Sequence, residues 1–138
     1  MIVVSNTTPI HCLLQIGEIE LLRELFQTIV IPNAVVKELS DPLAPDAVRE
    51  WISAPPDWVR VLAVEESYLP ENVRLDPGES EAIVLAFQLQ ADLVLLDETK
   101  ARRVAKQEGL SVSGTLGVLD RAALMGCVDL KRVAHTPS

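Results

Sequence analysis

An α/β fold is what the sequence predicts: a three-layer α/β/α sandwich with a central parallel sheet of four to five strands, forming a single domain over residues 1–138. Three observations carry this expectation. Aliphatic and β-branched runs recur without polar interruption, as in Ile2-Val3-Val4, residues 28–31 and Leu93-Val94-Leu95-Leu96, and unbroken apolar runs suit strands covered on both faces. Between the runs lie stretches of helical patterning about ten residues long, the alternation that calls for βαβ units. No internal repeat, low-complexity segment or linker divides the chain.

The first apolar run breaks abruptly into Ser5-Asn6-Thr7-Thr8-Pro9. Thr8 before Pro9 has the pattern of an N-cap with proline at the first helical position. Ser5 to Thr8 then fall at the carboxyl end of a central strand, where open α/β sheets place their sites. Helical patterning over 9–26 is broken at Gly17 into a hairpin or kinked pair. Residues 28–31 make the second strand, ended by Pro32, and a helix over 34–39 carries Glu38 near its end. The segment 40–57 is the least regular, with Pro42, Pro45, Pro55 and Pro56 around about two turns of helix over 46–52. A weak strand candidate covers 58–64 and a loop covers 69–75. Asp76-Pro77-Gly78-Glu79 fits an Asp N-cap, a proline at the first helical position and an acid at capping-box spacing, opening a helix to about Gln90. The fourth strand, 93–96, ends in Asp97-Glu98. A helix over 100–108 stops at Gly109, residues 110–113 make a fifth strand, and Gly114-Thr115 opens a last helix to about Met125-Gly126.

Hydrophobic residues make up 49% of the chain and charged residues 23%, the balance of a compact globular protein. Aromatics are only 4%, so the core must be aliphatic. No apolar run approaches the roughly 20 residues needed to span a bilayer, and no basic segment precedes one. A cytoplasmic protein without a membrane partner is expected. Cys12 and Cys127 sit apart in apolar patterning and read as buried free thiols. The net charge of −8 argues against a broadly cationic nucleic-acid coat. It leaves room for an enzyme that meets nucleic acid through one basic patch and gathers its acids around a metal.

Phosphate-loop, dinucleotide-loop and nucleophile-elbow patterns are absent, and two histidines with two distant cysteines make a poor zinc set. What recurs is an oxygen ligand where a strand hands over to a helix. Asn6 follows the first strand and Asp97 the fourth, and in a parallel sheet both lie on one edge. Glu38 lies about two turns beyond the second strand, and Glu81 flanks the stripe of Ala82, Ala86 and Leu89. Three carboxylates and an amide around one cleft form a hard oxygen site suited to Mg²⁺ or Mn²⁺, ions that serve phosphodiester hydrolysis. Each residue has a plainer reading beside this one: Glu38 as a solvated helix end, Glu81 as a flank of the stripe, Asp97 as a cap, Glu79 as the capping-box acid, Glu98 as a solvated neighbour. Lys100, Arg102, Arg103 and Lys106 cluster on the helix after Asp97. They read either as a phosphate-binding wall or as a solvated face.

Five segments in order carry a resemblance to a known family. They are Ile2-Val-Val-Ser-Asn6-Thr-Thr-Pro-Ile10, Val30-Ile-Pro32-Asn-Ala-Val-Val-Lys-Glu38-Leu39, Leu75-Asp-Pro-Gly-Glu-Ser-Glu81, Ala91-Asp-Leu-Val-Leu-Leu-Asp97-Glu98 and Gly114-Thr-Leu-Gly-Val-Leu119. Over about residues 1–130 the chain resembles a PIN domain, and within that superfamily the small prokaryotic proteins related to VapC-type toxins. The resemblance implies a Mg²⁺- or Mn²⁺-dependent endoribonuclease, the toxin of a toxin–antitoxin pair, restrained by a partner antitoxin. It places the four metal ligands on Asn6, Glu38, Glu81 and Asp97, with Glu38, Glu81 and Asp97 catalytic and a supporting hydroxyl on Thr7 or Thr8; Glu98, beside Asp97, is a further supporting candidate from its position alone. Asn6 departs from the family, which has an acid there, so a weakened nuclease is the expectation. The alternative reading is a catalytically inactive PIN-like domain that binds RNA or another protein. Family habit and the apolar last helix (Leu116, Val118, Leu119, Ala122, Ala123, Met125) together predict a homodimer.

Overall fold

A computed structural model describes residues 1–65 and 74–127. Its sheet contains β1 (Val3–Ser5), β2 (Ile29–Pro32), β3 (Val59–Leu62), β4 (Leu93–Leu95) and β5 (Val112–Ser113). All neighbours are parallel, in the order β3-β2-β1-β4-β5. The first strand is central and the fourth lies beside it, in register Val3 to Leu93, Val4 to Val94 and Ser5 to Leu95.

Alternation along the strands divides the core into two layers, as a pleated sheet requires. Val3, Ile29, Ile31 and Leu95 face α1 (Thr7–Gln15), α2 (Glu20–Phe26), α3 (Asn33–Leu39), α4 (Asp46–Ser53) and α7 (Thr115–Leu124). Val4, Val30, Val94 and Leu96 face α5 (Pro77–Leu89) and α6 (Thr99–Gln107). The result is a three-layer α/β/α sandwich around a five-stranded parallel sheet.

Several boundaries differ from the sequence reading for identifiable reasons. The first helix starts at Thr7 with Asn6 as N-cap, so Pro9 is its third residue, where a missing N–H still breaks no intrahelical bond. The break at Gly17 is real, with φ +73°, a conformation glycine adopts without strain. Strand β2 keeps Pro32, which pairs in register with Leu62. The weak 58–64 candidate is a shorter edge strand whose Arg60, Val61 and Leu62 are exposed. The capping box at Asp76 and Glu79 forms as read: Asp76 Oδ1 accepts from Glu79 N at 2.8 Å and Glu79 Oε1 from Asp76 N at 3.2 Å. The loop expected over 69–75 lies mostly outside the described residues. Both cysteines are free, but only Cys12 is even half-buried; Cys127 is exposed, because it follows the end of α7 at Leu124 instead of lying within a packed helix. Among the described residues no helix is long and apolar enough to cross a membrane.

Candidate functional site at the carboxyl edge of the sheet

Asn6 leaves β1 next to β4, its backbone N donating to Leu95 O at 3.0 Å. An N-cap asparagine usually accepts from the second or third helical N–H. Here the third residue is Pro9, which has none, and Asn6 makes no side-chain cap. Its side chain turns instead toward the start of α5. It is 3% exposed, and its Oδ1 is buried without a hydrogen-bond partner.

That turn brings it to Glu38. A Cβ placed on Gly78 would meet Glu38 Oε1 at 2.5 Å, Glu38 Oε2 at 2.8 Å and Asn6 Oδ1 at 2.9 Å. The three oxygens thus converge on the α-carbon of one glycine, and only glycine leaves them room. Glu38 is held there from two sides, accepting from Thr7 Oγ1 at 2.6 Å and from Gly78 N at 2.8 Å. Glu81 reaches the opposite way, its Oε1 accepting from Ala34 N at 3.1 Å. The two helices therefore exchange caps: Glu38 of α3 closes the first turn of α5, and Glu81 of α5 closes the first turn of α3. First-turn N–H groups have no intrahelical acceptor, and a carboxylate near them is favoured by the helix dipole. Glu38 and Glu81 also line one cavity of about 470 Å³ with Asn33, Ala34, Lys37, Asp41 and Pro77.

Asp97 is committed on the other side of β1. Its Oδ1 accepts from Thr115 N at 2.7 Å and its Oδ2 from Thr115 Oγ1 at 2.6 Å, so it caps α7. Gly114 makes room for it, since a Cβ there would lie 2.5 Å from Asp97 Oδ1 and 3.0 Å from Leu96 O. Cys12 lies near this corner. Burial pushes its thiol pKa up, the Asp97 charge adds to that, and a hydrogen bond with Thr115 opposes it. Burial likewise raises the pKa of Glu79, with Asp76 and Glu98 adding and the Asp76 backbone N–H opposing. Thr8 and Glu98 are exposed, so of the three supporting positions only Thr7 contacts a candidate acid directly.

Whether these residues fit a divalent cation is decided by where the carboxylates point. Among the described residues no three Asp, Glu, His or Cys side chains gather as ligands of one ion. Glu38 has a donor on each oxygen, Asp97 has both of its oxygens on Thr115, and Glu81 is turned to Ala34. Asn6 Oδ1 is the one buried oxygen left over, and it carries no charge. As arranged, the set does not fit a hard cation that needs converging anionic oxygens.

The basic cluster splits. Lys100, Arg103 and Lys106 are exposed on α6 and form no ion pair among the described residues. Arg102 turns inward, its Nη1 donating to Leu96 O at 3.1 Å, which caps β4 instead of facing solvent. The last helix also divides: Val118, Leu119 and Ala122 are core, while Leu116 and Leu124 are 78% and 90% exposed, with Met125 beside them. Gly78, Thr115 and the Ala34 N–H were not singled out from the sequence. Thr115 carried a readable signal, a hydroxyl opening a helix after glycine; the other two are backbone groups with none.

The chain matches the DUF3368 family, described as a PIN domain, over residues 2–135. Its fold is similar to that of a PilT N-terminus domain protein from the hyperthermophilic archaeon Sulfolobus solfataricus P2. That similarity has a TM-score of 0.65 at 22% identity and covers 88% of this chain and 93% of the other. No curated protein matches the chain.

Proposed function

Because the chain belongs to the PIN-domain family, we propose that it is a PIN-fold binding module that holds single-stranded RNA without hydrolysing it. The observation that carries this reading is the commitment of the acids. Glu38, Glu81 and Asp97 each close the first turn of a neighbouring helix, which gives each of them an internal role that needs no Mg²⁺ or Mn²⁺. RNA is the occupant best suited to the outer face of α6, where Lys100, Arg103 and Lys106 have no internal partner among the described residues. Lysine and arginine read phosphates by charge and need no cleft.

A second reading has one observation in its favour. The unpartnered Oδ1 of Asn6 beside Glu38 is where a ribonuclease of the toxin type would present a ligand. That reading needs Asp97 to leave Thr115 and join Glu38 and Glu81. Restraint by an antitoxin and pairing of two copies belong to the same set of proposals, and the outward Leu116, Leu124 and Met125 are the surface either partner would cover.

The test is binding and cleavage of an unstructured RNA in the same samples, with Mn²⁺, Mg²⁺ or chelator. Binding without cleavage is expected, with log affinity falling against log salt at a slope of about −2, from about 0.7 per phosphate contact over three contacts. Changing Lys100, Arg103 and Lys106 together to alanine should remove it. Metal-dependent cleavage that is lost in Asp97→Asn would establish the nuclease instead. Absence of both binding and cleavage would leave the protein-interaction role of the outward α7 face.

A further inference from the structure

Asn6 and Glu38 pose a local problem that the rest of the edge does not. Every other oxygen named there has a donor, or, like the second oxygen of Glu81, borders an open cavity. Asn6 Oδ1 is buried, has no partner, and shares the approach to the Gly78 α-carbon with both oxygens of a carboxylate. Two acceptors turned toward one point repel unless something positive lies between them, and Glu38 already accepts from Thr7 and Gly78 on their sides. A carboxylate has more than two lone-pair directions, so Glu38 still has room for a third donor. A half-turn about the Cβ–Cγ bond of Asn6 exchanges Oδ1 and Nδ2 within the same volume. It replaces the unpartnered acceptor with a donor on the same side of Gly78 as that carboxylate.

We infer that the side-chain amide of Asn6 donates to Glu38 and so takes the place a cation would hold at an acidic pair, making this edge complete without metal. The inference rests on the reading that the acids are structural, and it goes further by assigning the reason to one residue. A carboxylate at position 6 would put two negative charges at Gly78, and a divalent ion is the ordinary relief for such a pair. Asn6 acts as a positioning residue for Glu38. With the amide in place, Glu38 stays on the α5 N-terminus.

Thermal unfolding in EDTA and in millimolar Mn²⁺ tests this without reference to activity. The wild type should melt within about 1 °C in the two buffers, since a ligand without differential affinity shifts nothing. Asn6→Asp should melt about 3–6 °C lower in EDTA and regain that loss as Mn²⁺ is added. Combining Asn6→Asp with Glu38→Gln restores one amide and one carboxylate in exchanged places. That pair should recover most of the loss in EDTA and lose the Mn²⁺ response. If Asn6→Asp does not fold in EDTA, the exchanged pair and the wild type still give the decision. The inference is overturned if Mn²⁺ raises the wild-type midpoint as much as that of Asn6→Asp. It is equally overturned if Asn6→Asp is as stable as wild type in EDTA, or if the exchanged pair recovers nothing. A wild type that gains stability from Mn²⁺ yet leaves RNA intact would defeat this inference and leave the binding-module reading standing. Metal-dependent cleavage would defeat that reading itself.

Discussion

The two sides of β1 use the same device with different stiffness. On the β4 side, Asp97 is held by both the N–H and the hydroxyl of one residue, Thr115, and the space beside it at Gly114 is also bounded by Arg102 Nη1 and the backbone carbonyl of Leu96. On the β2 side, Glu38 and Glu81 exchange caps between α3 and α5 through longer side chains, next to a cavity of about 470 Å³. A short acid against backbone leaves no slack, whereas long acids beside a cavity can shift. The β4 side is therefore the anchor, and the β2 side is the part of the edge that tolerates change.

Alanine at Gly114 should be the costliest change. Its Cβ would lie 2.5 Å from Asp97 Oδ1, 2.8 Å from Arg102 Nη1 and 3.0 Å from the Leu96 carbonyl; the two side chains are tied to Thr115 and Leu96, and the carbonyl cannot rotate away. A loss of about 3 kcal/mol, at the top of the range for overpacking, is expected from urea unfolding. Gly78→Ala probes the other side with equally short contacts, at 2.5, 2.8 and 2.9 Å, but all three lie on side-chain ends. It should cost less, about 1–2 kcal/mol. Equal losses in the two variants would break the contrast.

Asp97→Asn sharpens it. The amide keeps the shape but carries no charge, so the bond from the Thr115 N–H loses its charge assistance and the bond to the hydroxyl must reverse, the new amide donating to Thr115 Oγ1. About 1–2 kcal/mol should be lost, and amide hydrogen exchange should rise first in the opening turn of α7. Glu81→Gln keeps an acceptor for Ala34 N beside open space and should change stability by no more than about 0.5 kcal/mol. The smallest effect belongs to the face outside both regions. Replacing Lys100, Arg103 and Lys106 with alanine should leave the unfolding midpoint unchanged, within about 0.5 kcal/mol, while RNA binding falls.

Much of this edge was legible from local chemistry. The apolar runs at 2–4 and 93–96 read as buried strands, Asp76-Pro77-Gly78-Glu79 as a capped helix start, and Gly17 as a break, because each signal acts within a few residues. The element ends were less legible. Proline at position 9 is compatible with any place in a first helical turn, so the pattern pointed to Thr8 as the cap, and Asn6 takes that place because β1 ends against Leu95.

The sequence by itself determined the alternation of strands and helices, the parallel sheet, and which acids would stand near the carboxyl ends of strands. Patterning and capping are short-range, and a parallel sheet puts all its strand ends on one side. Only the tertiary structure decided which donors those acids accept from. Whether Glu38 faces a metal or the Gly78 N–H depends on a residue forty positions away. Whether Asp97 faces Asn6 or Thr115 depends on one eighteen positions on, and each acid accepts from a backbone N–H that no side-chain pattern announces, with the Thr115 hydroxyl beside it at Asp97. A carboxylate takes the nearest unsatisfied donors that packing presents, and in this chain those are the helix N-termini.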